Sequence, residues 1–201
     1  VTLFCLTLLV IGGGSRLHPF LAVNAPIQAD ALVVEGWIAD ESLKTVAEDF
    51  SGRSPYNPYN VVITTGGPLP RGFYLSQYKT FAELAAATFV KLGMDQDNLV
   101  AVSADYVTKD RTYASAITLK QWLERSPIPI RTINIVTEGA HARRTWLLYK
   151  KVLNPRVTIG MISLPSPDYD SHRWWASSAG VRTVMPEAIA YLYALLFEHL
   201  H

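Results

Sequence analysis

Read by hydropathy alone, the chain is a succession of short apolar runs closed by glycine or polar turns, with stretches of helical spacing between them. Asp30-Ala-Leu-Val-Val-Glu-Gly-Trp37 and Asn60-Val-Val-Ile-Thr-Thr-Gly-Gly67 are nearly unbroken apolar runs that end in glycine, the pattern of strands buried on both faces. Further strands are predicted at Leu99–Ser103, Ile133–Val136 and Val157–Ile162. A helix is predicted from Asp40 to Phe50 through Leu43, Val46 and Ala47. A stronger one runs from Ser76 to Leu92, with Phe81, Leu84, Ala85, Thr88, Phe89 and Leu92 on one stripe and Gly93 just past its end. Asp110 caps a third helix, which stops before Pro127, and a fourth follows Thr137-Glu138-Gly139. Pro186 opens the last, amphipathic through Ile189, Leu192, Tyr193, Leu196 and Leu200. Residues 51–60, SGRSPYNPYN, are turn chemistry throughout. Such alternation predicts an α/β fold: a three-layer Rossmann-like domain with a mostly parallel sheet of about five strands and helices on both faces.

The first 23 residues interrupt this plan. Residues 1–11 are apolar, three glycines follow, and Leu17 to Val23 is a second apolar piece broken by Arg16 and His18. The first run is shorter than the ~20 residues a bilayer requires. The tail of a membrane anchor, the remnant of a signal peptide and a core strand are all compatible with it. The anchor is the reading adopted: residues 1–23 an anchor remnant, 24–28 a linker with Pro26, and 29–201 a single domain. Lys+Arg 18 against Asp+Glu 17 gives a net of +1, so no global field points to nucleic acid, and basic residues matter only where they cluster. The single cysteine, Cys5, excludes a disulfide framework and a cysteine metal site.

In a parallel sheet the residues after each strand converge on one edge, where the strand ends meet the positive ends of the following helices. Those residues are Glu35-Gly36-Trp37, Thr64-Thr65-Gly66-Gly67, Asp105 to Thr112, and Thr137 to Arg144. Gly36, Gly66 and Gly67 would let a ligand approach the backbone and leave N–H groups to cradle an anion. Arg71, Arg111, Arg143 and Arg144 bring guanidinium groups toward that edge, suited to phosphate or carboxylate. His141 and Arg144 share one helix face while Arg143 points elsewhere. Thr112 and Thr137 complete the expected ligand set. The candidate catalytic groups are His141, whose ordinary pKa suits proton transfer, Glu35 and Asp110. Glu35 reads equally as a base, a ribose ligand or an arginine partner, and Asp110 as a helix cap or an acid. The same basic residues could also form a structural network with Glu138, Glu35 or Asp110.

No GxGxxG, GxxxxGK[ST] or GxSxG occurs, so nicotinamide, P-loop and hydrolase-elbow sites are not supported. The histidines 18, 141, 172, 199 and 201 show no metal-binding spacing, and no metal site is predicted. Trp174-Trp175, beside His172 and Arg173, reads as a lid, a lipid-facing patch or core.

DALVVEGW from Asp30, ITTGG from Ile63, DRTYASA from Asp110 and VTEGAHARR from Val136 together resemble the YdcF/SanA/ElyC-like bacterial proteins. The spacing Thr137-x-x-x-His141-x-x-Arg144 is the most specific part, and the resemblance covers residues 29–198. WWASSAGVR and the helix of Glu187 look like one branch of that family. This chain has Glu35-Gly36-Trp37 where many members have a Leu-Gly-Gly type turn, and Ala114-Ser115 where they carry Glu and Asn. The resemblance implies a Rossmann-like fold tethered to the bacterial inner membrane, with the soluble domain extracytoplasmic. It also implies links to envelope barrier function, peptidoglycan assembly and undecaprenyl-carrier metabolism, and in one case S-adenosylmethionine binding. The resulting expectation is a membrane-tethered envelope protein that binds an anionic, phosphate-containing ligand, lipid-linked forms included. An S-adenosylmethionine or nucleotide-type ligand and a non-enzymatic envelope scaffold are the alternatives.

Overall fold

A computed structural model describes residues 16–49 and 59–197. The predicted turn at 51–60 falls mostly outside them, as do the apolar run 1–11, Leu200, His199 and His201. Five strands form one all-parallel sheet: β1 (Ala31–Glu35), β2 (Val61–Gly66), β3 (Leu99–Ser103), β4 (Thr132–Glu138) and β5 (Thr158–Leu164), in the order β3-β2-β1-β4-β5. Every residue of β1 and β2 is buried, which is why these strands read as unbroken apolar runs. The helices are α1 (Asp40–Glu48), α2 (Phe81–Lys91), α3 (Arg111–Arg125), α4 (Ala142–Leu153) and α5 (Ser178–Phe197).

Alternate side chains of each strand enter opposite layers. Leu32, Val34, Val62 and Val136 pack with Leu43, Val46, Ala85 and Phe89 of α1 and α2. Val33, Ile63, Ile133 and Ile135 pack with Ala116, Leu119, Tyr149 and Leu153 of α3 and α4. Strands wind outward in both directions from β1 and β4, so these two form the topological switch point where such sheets open a crevice. The three-layer Rossmann-like expectation is therefore met.

Several boundaries differ from the sequence reading. The α2 helix begins at Phe81 rather than Ser76, because Thr80 and Glu83 form a reciprocal capping box there. Its buried positions are Ala82, Ala85 and Phe89, with Leu84 and Leu92 turned outward. The last helix begins at Ser178 and contains Pro186 internally instead of starting at it. Residues 16–23, grouped by hydropathy with an anchor, belong to the domain. They form a helical turn at 16–21 in which Leu21 is buried with Val184 and Trp174, and His18 bonds the Tyr169 hydroxyl at 3.1 Å. The linker is held as well. Ala25 bridges Met161 of β5, and buried Asn134 of β4 bonds the backbone of Ile27 through both its oxygen and its nitrogen. Gly160 leaves the room for that amide, since a Cβ there would stand 2.0 Å from Asn134 Oδ1. Among the described residues no helix is long and apolar enough to cross a membrane.

Candidate functional site

At the switch point, elements from four parts of the chain bring a histidine between two glutamates. Glu35 closes β1 and is only 3% exposed. Its Oε2 accepts from Thr137 Oγ1 of β4 at 2.5 Å and from Thr145 Oγ1 of α4 at 3.2 Å. A carboxylate at a buried strand end requires such donors. After β4 the chain turns through Gly139 at φ +46, where a Cβ would stand 2.8 Å from the Tyr169 hydroxyl. This tight turn delivers His141 to the start of α4. The Nε2 of His141 lies 3.6 Å from Glu35 Oε2 and 3.4 Å from Thr112 Oγ1. Its Nδ1 lies 2.8 Å from Glu187 Oε1 on α5, and Trp37 meets the ring edge-on with centroids 4.8 Å apart.

The contacts assign the tautomer. A nitrogen 2.8 Å from a carboxylate oxygen has a hydrogen between them, so Nδ1–H donates to Glu187 and Nε2 is the nitrogen that faces Glu35 and Thr112. The approach of Arg144 NH2 to Nδ1, at 3.0 Å, is then a close contact. That nitrogen donates instead to Glu187 Oε1 at 3.0 Å, while Arg144 Nε donates to Glu187 Oε2 at 2.8 Å. Burial alone would raise the Glu187 pKa, but the hydrogen bonds and charges of His141 and Arg144 overcome it and hold the group at about 2. Behind Glu35, burial and then the nearby carboxylate push Tyr149 well above the ordinary tyrosine value.

Three expectations change here. Arg144 is not a free guanidinium awaiting an anion: it is engaged two-fold by Glu187, which sequence reading did not pair with it. The signal for Glu187 was faint, a single acid in an otherwise acid-free helix. Gly36 and Gly66 serve packing rather than an anion cradle. A Cβ on Gly36 would stand 2.4 Å from the Phe81 carbonyl oxygen and one on Gly66 2.7 Å from Phe81 Cβ, and the Gly36 N–H already donates to the Thr65 carbonyl. Gly67 is the open one, with nothing nearer than 3.8 Å to its Cβ position. Asp110 does stand at the start of α3, but in the left-handed region (φ 56, ψ 39) with no capping bond from its side chain.

Arg143 leaves the cluster, donates to the Phe20 carbonyl and lies over the Phe20 ring at 4.0 Å. Glu138, considered as a partner for the basic residues, instead closes the start of α1, accepting from Ala39 N at 2.8 Å and Ser42 Oγ at 2.6 Å. The helix end that would most directly receive a ligand phosphate thus already holds an internal carboxylate. Arg111, exposed at the first position of α3 beside Thr112, has no partner among the described residues. Of the tryptophan pair, Trp174 is buried and Trp175 is 45% exposed.

Glu35 and Glu187 approach opposite nitrogens of one ring, so the three groups do not converge on a point as metal ligands would. Such an arrangement can carry a proton: the ring is fixed by an acid at one nitrogen and faces a second acid and a hydroxyl at the other. Comparison of the sequence with protein-family models and with curated proteins returns no match.

Proposed function

We propose that the crevice between β1 and β4 is an acid–base site for an anionic, phosphate-containing ligand. The observation that carries this reading is the Glu187–His141 pair with Nε2 turned to Glu35 and Thr112 at the switch point. A water or ligand hydroxyl at Nε2 gives its proton to the ring, and Glu187 stabilises the resulting imidazolium through Nδ1–H. Glu35 is the second station for that proton. With Arg144 committed to Glu187, the charge for the ligand comes from Arg111, assisted by the Thr112 hydroxyl and the open backbone at Gly67. The resemblance to the YdcF/SanA/ElyC-like proteins adds the setting: a bacterial envelope protein at the inner membrane, its domain extracytoplasmic and its ligand free or lipid-linked.

Calorimetric titration with pyrophosphate and with p-nitrophenyl phosphate tests this. Arg111→Ala is expected to weaken binding about tenfold or more, whereas His141→Gln is expected to leave binding in place and remove any turnover. Undiminished binding by Arg111→Ala would remove the proposal. The S-adenosylmethionine reading draws less support, because Glu35 is turned to Thr137, Thr145 and His141 instead of outward to a ribose. Thermal protection by that cofactor, unmatched by phosphate, would restore it. Absence of any small-anion binding would favour the scaffold.

A further inference from the structure

Among the described residues, three threonine hydroxyls bond the ring or the acids of the His141 cluster, and one of them is held differently from the others. Thr137 and Thr145 donate their hydrogens to Glu35. Thr112 instead presents Oγ1 to the imidazole, 3.4 Å from Nε2. With Nδ1–H given to Glu187, Nε2 is an acceptor, so the Thr112 O–H donates to it. The same oxygen accepts from Arg144 Nη1 at 3.4 Å, which sets a cation where negative charge would form if that proton moved. Both distances are at the long end of the hydrogen-bond range, as is common for a nucleophile and its base before a substrate draws them together.

Thr112, His141 and Glu187 thus form one hydroxyl–imidazole–carboxylate relay, the constellation that makes an alcohol nucleophilic on unrelated folds. Its far end is fixed, because Arg144 engages Glu187 through two nitrogens. Its near end is the second residue of α3, a side chain only 8% exposed. The chain enters that helix through Asp110 in the left-handed region, φ 56, without a side-chain cap. Backbone strain of this kind persists where the surroundings impose it, and it clusters at functional sites. Exposed Arg111 adjoins Thr112, so an anion held by its guanidinium lies one residue from the activated hydroxyl.

We propose that Thr112 is the nucleophile of this site and carries the phosphoryl group of a phosphate monoester as a covalent intermediate. The step rests on the reading of the crevice as a phosphate site. Thr112 Oγ1 bonds to phosphorus while its proton passes to His141 Nε2, and Glu187 stabilises the imidazolium through Nδ1–H. The bond from phosphorus to the leaving alcohol oxygen breaks, and that oxygen takes the proton from Nε2. Water then bonds to phosphorus and gives a proton to Nε2. The bond from phosphorus to Thr112 breaks, and Oγ1 recovers its proton from the ring. One ester and one water become one alcohol and one phosphate, with no change of oxidation state.

The test uses the full chain and two electrophiles. Diisopropyl fluorophosphate is neutral and requires only an activated hydroxyl, whereas p-nitrophenyl phosphate also requires the anion site. The first is expected to modify Thr112, located by peptide mass spectrometry, in the parent chain and in Thr112→Ser but not in Thr112→Val. His141→Gln is expected to slow that labelling about a hundredfold or more. With p-nitrophenyl phosphate, acid-quenched samples are expected to contain phosphothreonine at 112. Absence of both adducts from the parent chain, or equal labelling of Thr112→Val, overturns the proposal. If pyrophosphate still binds in calorimetry, the anion-site reading survives that result. A chain labelled at Thr112 by the fluorophosphate that binds neither pyrophosphate nor p-nitrophenyl phosphate overturns the phosphoryl step through the failure of the crevice reading, not of the hydroxyl.

Discussion

Glu35 and Glu187 face the same imidazole from opposite sides, yet they are held by different means. Glu187 is gripped by charge, from Arg144 through two nitrogens and from His141 Nδ1. Glu35 is deeper and is held by neutral hydroxyls, Thr137 and Thr145, with only His141 Nε2 as a cationic neighbour when that ring is protonated. Charge-assisted bonds are shorter and stronger than those from neutral hydroxyls, and they fix geometry more firmly. The contrast accords with the proposed division, in which Glu187 positions the ring and Glu35 faces its other nitrogen.

The largest expected effect comes from removing the gripped acid. Glu187→Ala takes the carboxylate from a mostly buried guanidinium and should cost about 3–5 kcal/mol in denaturant unfolding. A loss below about 1 kcal/mol would erase the distinction. Next is the pH dependence. The folded Glu187 stays near 2 against an ordinary glutamate value of 4.5, so its stabilisation is complete above pH 4.5. It is lost as pH falls toward 2, amounting to roughly 3 kcal/mol. Unfolding curves between pH 5 and pH 2 should show that slope in the parent chain and a flatter one in Glu187→Gln. Glu35→Gln should cost less, about 1–2 kcal/mol, because the amide oxygen can still accept from Thr137 and Thr145. Its signature should lie in the pH profile of whatever turnover is found, and a stability loss matching that of Glu187→Ala would make the two acids equivalent. Smallest is Thr145→Val, which removes one of the two hydroxyl donors for about 1 kcal/mol while leaving the Glu187 side intact.

The strands were legible because buried parallel strands leave long apolar runs, and the residues following β1 and β4 were legible as a meeting place because parallel strands share an edge. Strand order was not, since hydropathy carries no pairing information. The start of α2 was present in the sequence as Thr80-x-x-Glu83, and the apolar stripe from Phe81 onward agrees with it, so the predicted start at Ser76 ran five residues early. The stripe at Ile189, Leu192 and Leu196 was real, yet a hydropathy pattern says only that a face is apolar and not that this domain covers it. Pro186 misled because a proline more often opens a helix than sits within one. Glu187 went unpaired with Arg144 because they stand 43 residues apart, beyond any local rule. Gly36 and Gly66 looked like ligand-cradling residues, and only the approach of Phe81 reveals what they make room for.

The moorings of the N-terminal stretch set a reach. The described residues begin at 16, already in a helical turn, with His18 on Tyr169, Ala25 on β5 and Ile27 on Asn134. In sequence, only positions 12–15 separate the first described residue from the apolar residues 1–11. Fully stretched, four residues extend no farther than about 14 Å. If those apolar residues enter a bilayer, the domain is kept on a short leash at its surface, with no room to range through the space beyond.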